Sequence, residues 1–130
     1  VNFFAGAIDA IIKMSADYQL GALTNGNADI HRLGLAQYFS FAFSAEEVGA
    51  PKPAPDLFHK ALSHTGVAAI EMVYVGDDRI KDVDAANAVG LKTIWLRNER
   101  RAGPGESEPD SVIEDISQLP QAIKSIESRE

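Results

Sequence analysis

Apolar residues along the chain alternate between helical spacing and short continuous runs. Within residues 5–16, Ile8, Ile11, Ile12 and Met14 recur near helical spacing, which predicts a helix. Apolar runs bounded by polar residues predict buried strands at 18–25, 39–43, 72–76 and 92–96, and a short edge strand at 111–115.

Helical patterns occupy the intervals between the predicted strands. They cover 27–35, with Asn27 as candidate N-cap, then 56–66, 82–90 and 116–126, which Pro120 interrupts or begins. Prolines exclude regular structure from 49–56, and Gly, Pro and charged residues predict a mobile loop at 97–110. The alternation predicts an α/β fold in which helices cover a parallel sheet.

Composition narrows the functional class. The 130 residues, 45% hydrophobic and 24% charged, suffice for one domain with its own core. A net charge of −7 argues against nucleic acid as a partner, and no apolar run reaches the roughly 18 residues of a membrane span. Cysteine is absent, which excludes disulfides and fits a cytoplasmic protein. The chain begins without Met and in mid-pattern, which suggests a fragment of a longer protein.

Polar residues follow the first two predicted strands. Thr24, Asn25 and Gly26 end the first strand, and Lys52 lies between prolines in the loop after the second. In an open parallel sheet, ligands bind beyond the carboxyl ends of the strands. A hydroxyl followed by backbone amides holds phosphate oxygens, and a pre-positioned lysine supplies a point charge to them. Taken singly, these residues are also explained as a strand-end turn and a solvated loop lysine.

Acidic residues follow the third predicted strand. Asp77 and Asp78 come directly after it, and Asp82 lies one helical turn further on. Carboxylates at a strand end suit Mg²⁺, although Asp77 and Asp78 alone would also serve as helix caps. Asp84 is expected on the opposite side of the helix as a solvated or capping acid. Anion-binding groups beside an acid cluster predict phosphoryl-transfer chemistry.

The combined pattern resembles the haloacid dehalogenase-like (HAD) hydrolase superfamily over nearly the whole chain. The segments "LGALTNGN", "GAPKPAPDLF" and "VYVGDDRIKDVDAANAVGLKTIWL" resemble the family's second, third and fourth motifs. The resemblance implies a Rossmann-like core and Mg²⁺-dependent hydrolysis of phosphate esters through an aspartyl-phosphate. The "GDD" form is closer to the phosphatases than to the dehalogenases, which need no metal. The implied substrate is a small phosphorylated metabolite.

The resemblance also implies roles for individual residues. Thr24 would bind the transferring phosphoryl group, while Asn25 and Gly26 would support it or face the substrate. Lys52 would offset negative charge on the nucleophile and the phosphate. The metal ligands would be Asp77 directly, Asp82 directly or through water, and Asp78 in a less defined position.

The family's first motif, which carries the nucleophilic Asp, is absent from the sequence. In the family this motif ends the central strand, between the strands at 18–24 and 72–76, and precedes a helical cap. The expected fold is therefore an incomplete HAD-type core, residues 1–130 being its C-terminal part, which alone would be inactive. The missing N-terminal segment or another copy of the chain would complete the sheet.

A second interpretation is a non-catalytic, Mg²⁺-binding interaction module similar to a receiver domain. Such domains also combine an acidic pair, a Thr and a Lys. Their order along the chain differs, with the acidic pair first, whereas Thr24 and Lys52 precede Asp77 here. A purely structural fragment, such as a swapped dimer, is compatible with the HAD interpretation.

Overall fold

Strands and helices alternate along the chain in the computed structural model, which describes residues 3–25, 36–97 and 104–129. The strands are β1 (Gly21–Thr24), β2 (Phe41–Ser44), β3 (Val73–Gly76), β4 (Lys92–Leu96) and β5 (Ser111–Ile113). The α-helices are α1 (Phe3–Asp17), α2 (Ala45–Val48), α3 (Asp56–Thr65), α4 (Ala85–Val89) and α5 (Leu119–Glu127). Short 3-10 turns lie at Ala36–Tyr38, Ala69–Glu71 and Ile116–Gln118, and a π-helix at Arg79–Asp84. Among the described helices, none has the length and apolar character needed to cross a membrane.

The described strands form two separate parallel sheets. One sheet pairs β1 with β2, with Thr24 opposite Ser44, and the other has the order β3-β4-β5. In the second sheet Val75 lies opposite Ile94. The predicted α/β fold with parallel strands is confirmed, and within the described residues β1 and β3 do not pair with each other.

Helices α1 and α5 cover one face of the β3-β4-β5 sheet. Met14 of α1 and Ile123 of α5 pack with Ile94 of β4 and Ile113 of β5, all of them buried. Burying each such side chain contributes roughly 1.5–3 kcal/mol before the entropy of ordering is subtracted. This face forms the larger apolar core and orients β4 and β5.

Helices α3 and α4 cover the opposite face. Phe58 of α3 and Ala86 of α4 are fully buried there, and Leu23 of β1 and Tyr74 of β3 pack against this cluster. The rings of Phe58 and Tyr74 meet edge to face, with centroids 4.9 Å apart. This second core therefore sets the spacing between β1 and β3, where the predicted polar residues lie.

An apolar groove lies between the start of β1 and the start of β3, with a volume of about 470 Å³. It is called the β1–β3 groove below. Its apolar lining includes Met14, Leu20, Ile70, Met72, Val73 and Ile123. Two of its lining residues, Ile70 and Val67, are 62% and 37% exposed. Apolar surface is therefore accessible beside the starts of β1 and β3.

Several element boundaries differ from those predicted. The first strand begins at Gly21 and not at residue 18, because the Tyr18 amide donates to the Met14 carbonyl (2.8 Å) in the last turn of α1. Pro120 lies in the first turn of α5 and does not interrupt the helix. The predicted helix at 27–35 with its Asn27 cap, and Gly26, lie outside the described residues.

The helix predicted at 82–90 starts earlier, as the π-helix that leads into α4. Asp78 caps this helix, since its Oδ1 accepts hydrogen bonds from the amides of Ile80 (2.9 Å) and Lys81 (2.8 Å). At the other end Gly90 adopts a φ of 102°, which closes α4 in the left-handed conformation. The capping interpretation of Asp78 is confirmed by these contacts.

Asp84 holds part of the polar loop after β4 against the helix. Its carboxylate accepts hydrogen bonds from the amides of Glu106 (2.8 Å) and Ser107 (2.9 Å) and from the Ser107 hydroxyl (2.6 Å). Asn87 Nδ2 adds bonds to Ser107 Oγ (2.9 Å) and to the Glu108 carbonyl (3.0 Å). The expectation of a solvated or capping acid is wrong at Asp84, because the loop supplies its partners. Residues 98–103 of the predicted mobile loop lie outside the described part of the chain.

These contacts change the acidity of Asp84. Burial opposes ionisation of the carboxyl, but the hydrogen bonds from Ser107 and Glu106, together with the Arg79 charge, outweigh it and lower its pKa. A carboxyl whose pKa is lower in the folded state stabilises the fold above its unfolded pKa, near 4. That stabilisation is lost as the pH falls through the lowered pKa.

We expect Asp84→Asn to lower the free energy of unfolding at pH 7 by roughly 1 kcal/mol, because a neutral amide is a weaker acceptor at this partly exposed position. The deficit should shrink as the pH falls below about 4, where the wild-type carboxyl is also neutral. Urea unfolding across this pH range measures both effects, with the exposed Asp9→Asn as control. A deficit that is independent of pH would contradict the account.

Candidate active site

A buried ion pair joins Lys52 to Asp82. Lys52 Nζ lies 2.6 Å from Asp82 Oδ1, and the two side chains are only 10% and 8% exposed. Burying two charges costs several kcal/mol for each ion unless close geometry and further hydrogen bonds compensate. Both conditions hold here, because other groups also bond each partner.

The backbone around β3 creates the space for Asp82. A Cβ added to Gly76 would lie 2.4 Å from the Asp82 Cβ, so only glycine fits at the end of the strand. The Asp78 amide donates to Asp82 Oδ2 (3.1 Å), which occupies the second carboxylate oxygen. The glycine and the helix start thus direct the Asp82 carboxylate towards Lys52.

Asn25 fixes the backbone of the loop that carries Lys52. The Lys52 amide donates to Asn25 Oδ1 (2.7 Å), and Asn25 Nδ2 donates to the Lys52 carbonyl (2.9 Å). The following Lys52–Pro53 peptide bond is cis. The two hydrogen bonds of the Asn25 side chain therefore connect the loop that carries Lys52 to the end of β1.

Tyr74 is a site residue that the sequence reasoning missed. Its hydroxyl accepts a hydrogen bond from Lys52 Nζ (2.7 Å) and lies 3.3 Å from Asp82 Oδ1 and 3.5 Å from the Leu23 carbonyl. Burial raises the pKa of the Tyr74 phenol, and the charges of Asp82 and Asp77 raise it further. The sequence feature that could have identified Tyr74 is a tyrosine within a predicted buried strand, since a buried hydroxyl requires a polar partner.

Trp95 and Arg79 support the backbone of the acidic segment. The indole Nε1 of Trp95 donates to the Asp77 carbonyl (3.0 Å), and the Arg79 guanidinium lies 4.9 Å from the centre of the indole ring. The Asp77 carboxylate lies close enough to Tyr74 for its charge to influence the phenol.

The structure therefore brings three of the predicted residues into direct contact, namely Asn25, Lys52 and Asp82. Thr24 ends β1 immediately before Asn25, and Asp77 follows β3. Asp78 contacts Asp82 through its backbone amide, while its carboxylate caps the helix.

The predicted metal ligands are oxygen donors of the kind that Mg²⁺ prefers, but they do not form a complete set of protein ligands. Within the described residues, no group of three or more acidic or histidine side chains is arranged to hold a metal ion. Mg²⁺ prefers hard oxygen ligands and often takes only one or two carboxylates, with water and substrate oxygens completing the shell. Asp77 and Asp82 are the two carboxylates that the sequence predicts for such a site.

Comparison with known proteins assigns the chain to a family. The sequence pattern of the haloacid dehalogenase-like hydrolases matches residues 1–96. The chain belongs to the haloacid dehalogenase-like hydrolases. Thr24 ends β1, Asp77 follows β3, and Lys52 lies in the loop before α3, within the segments through which the sequence resembles this family. Membership of the family leaves the receiver-like interpretation without support.

Similar proteins in this family include a phosphatase and a dehalogenase. The chain is 38% identical to a phosphoserine phosphatase from Thermus thermophilus over 105 residues, which cover 77% of the chain and 42% of that protein. It is also 38% identical to a 2-haloacid dehalogenase from Pseudomonas syringae pv. tomato, with a TM-score of 0.88 over 94% of the chain and 53% of that structure.

A more distant structure shares the fold. It is a putative HAD hydrolase from Bacillus subtilis bound to magnesium, at 24% identity and a TM-score of 0.82, and the match covers 90% of the chain and 54% of that structure. The chain thus spans about half the length of the HAD proteins that it matches.

A double-mutant cycle tests the buried ion pair. Asp82→Ala should destabilise the chain by about 3–5 kcal/mol, because it leaves the Lys52 ammonium buried without a counter-charge. Adding Lys52→Met should restore part of that loss, so urea unfolding should show a favourable coupling energy. The exposed pair Arg97–Glu114, whose side chains are 49% and 65% exposed, is the control and should show coupling below about 1 kcal/mol. Additive effects of the Lys52 and Asp82 substitutions would contradict the account.

Proposed function

We propose that the complete protein is a cytoplasmic phosphatase that hydrolyses small phosphorylated metabolites. The observation that carries the proposal is the buried Lys52 ammonium, which is paired with Asp82 and held through Asn25 at the carboxyl ends of parallel strands. A fixed cation in a site of low polarity stabilises negative charge that develops on a transferring phosphoryl group. Parallel α/β sheets bind their ligands at this end of the strands.

Thr24 and Asn25 form the phosphate-binding side of the proposed site. The Thr24 hydroxyl and the backbone amides that follow, including that of Gly26, would hold the phosphoryl oxygens. Asn25 would support this segment, because its amide already bonds both backbone polar groups of Lys52. Lys52 would then share its charge between Asp82 and the phosphoryl group.

Asp77 and Asp82 form the proposed Mg²⁺ side, and Asp78 supports Asp82 through its amide. The bound ion would neutralise charge on the phosphoryl oxygens and orient them. The magnesium-bound structure from Bacillus subtilis supports the choice of metal for this fold. Binding of the ion requires Asp82 to share its oxygens between Lys52 and the metal.

The nucleophile would come from a strand that completes the sheet. We propose that residues 1–130 are the C-terminal part of the core domain and that an apolar strand fills the β1–β3 groove. This strand would be supplied by a segment preceding Val1 or by another copy of the chain. The separation of the two sheets and the apolar groove support this proposal. An Asp at the end of that strand would accept the phosphoryl group as an aspartyl-phosphate.

Dehalogenation is the second candidate, because one similar structure is a 2-haloacid dehalogenase. Phosphate hydrolysis is favoured by the acids beside Lys52. Asp77 and Asp82 would supply the hard carboxylate oxygens that Mg²⁺ prefers. The similarity to a phosphoserine phosphatase supports the same choice.

Turnover by the complete protein separates the two candidates. Phosphoserine and glyceraldehyde 3-phosphate should release phosphate only when Mg²⁺ is present, and 2-chloropropionate should release no chloride. Lys52→Ala should lower kcat by about 10²–10³-fold, as expected on removal of a group that stabilises transition-state charge. The exposed Lys13→Ala is the matched control.

The isolated 130-residue chain should release no phosphate under the same conditions. Release by this chain that disappears in Asp77→Ala would refute the need for an added strand. Metal-independent release of chloride by the complete protein would refute the phosphatase assignment.

A further inference from the structure

We propose that the hydroxyl group of Tyr74 positions the Lys52 ammonium for its ligand. Tyr74 is then a positioning residue, whose effect passes through Lys52. The proposal deepens the proposed function, because it takes Lys52 as the group that faces the phosphoryl group. It concerns the hydroxyl alone and not the packing of the aromatic ring.

The ring of Tyr74 is a fixed support for this hydroxyl. It packs edge to face against Phe58, with ring centroids 4.9 Å apart, and Phe58 is fully buried. Leu23 of β1 packs against the same cluster. Because protein cores are close-packed, a ring held in this way has little freedom to rotate out of its position. The hydroxyl therefore has a defined location beneath the lysine.

The hydrogen-bond donors of Lys52 show what the hydroxyl achieves. An ammonium has three N–H donors, and Lys52 directs one to Tyr74 Oη (2.7 Å) and one to Asp82 Oδ1 (2.6 Å). Because two N–H groups are held by fixed acceptors, the tetrahedral geometry of the nitrogen gives the third N–H a single direction. With Asp82 alone, two N–H groups would have no fixed acceptor, and the ammonium would be restrained by a single hydrogen bond.

Tyr74 and Asp82 make different contributions to the ammonium. Asp82 offsets the charge of Lys52, whereas a neutral phenol accepts a hydrogen bond without cancelling that charge. The ring also lies close to the ammonium, with Nζ 5.2 Å from its centroid. The phenol keeps its own proton, for which Asp82 Oδ1 (3.3 Å) is the nearer acceptor. The phenol thus helps to fix the direction of the Lys52 N–H groups and leaves the positive charge of Lys52 available to an anionic ligand.

Tyr74→Phe removes the hydroxyl and keeps the ring that contacts Phe58. In the 130-residue chain, brief acetylation with acetic anhydride followed by mass spectrometry compares labelling of Lys52 with that of the exposed Lys13. We expect the Lys52/Lys13 ratio to rise about fivefold in the variant, as expected when one hydrogen bond that restrains the lysine is lost. Tyr18→Phe removes a hydroxyl that bonds Glu127, away from Lys52, and should leave the ratio unchanged.

Kinetics of the complete enzyme provide the second measurement. Tyr74→Phe should lower kcat about tenfold and leave KM within about twofold, because orientation of a charge matters most in the transition state. An unchanged labelling ratio overturns the proposal whatever the kinetics show. If the complete wild-type protein releases no phosphate, the proposed function fails. The labelling ratio still decides the role of Tyr74.

The wild-type chain offers a test that does not depend on folding of the variant. NMR spectra should show magnetisation transfer between the Lys52 side chain and the ring protons of Tyr74, as the 2.7 Å contact requires. Absence of this transfer in a folded wild-type chain would overturn the proposal.

Discussion

The Lys52–Asp82 ion pair is the interaction on which the rest of the site depends. It joins the loop before α3 to the helix after β3, at a position where neither charge is well exposed to water. Burial of this kind is tolerated when close geometry and further hydrogen bonds compensate its cost. Asn25, Gly76 and Tyr74 meet that condition by fixing the lysine backbone, making room for the carboxylate and accepting a second ammonium hydrogen.

The ion pair lies where the two separate sheets, β1-β2 and β3-β4-β5, come together. Leu23 and Tyr74 belong to strands that do not pair within the described residues, yet their side chains share one core beneath the ion pair. At the other end of these strands, the β1–β3 groove leaves apolar surface accessible. Packing against α3 and α4 thus holds the carboxyl ends of the two strands in a fixed relation. This arrangement supports a site whose charged residues are already assembled while its nucleophile is supplied separately.

Much of this arrangement could be predicted from the sequence, because the signals are local. Short apolar runs and helical spacing indicated parallel α/β structure, and the polar residues that follow the strands indicated Lys52 and Asp82 as site residues. The role of Asp84 could not be predicted, since its partners Glu106 and Ser107 lie 22 and 23 residues further along the chain. Tyr74 was missed for a similar reason: its hydroxyl gains a function only when the loop carrying Lys52 packs over β3.

A crystal structure of the complete protein tests the central claim most directly. The account predicts an apolar strand between β1 and β3, parallel to both, with a terminal Asp carboxylate within about 4 Å of Lys52 Nζ, the distance of an ion pair. Asp82 and Tyr74 should retain their contacts with Lys52. Direct pairing of β1 with β3, or a strand in the groove without a carboxylate near Lys52, would contradict the account.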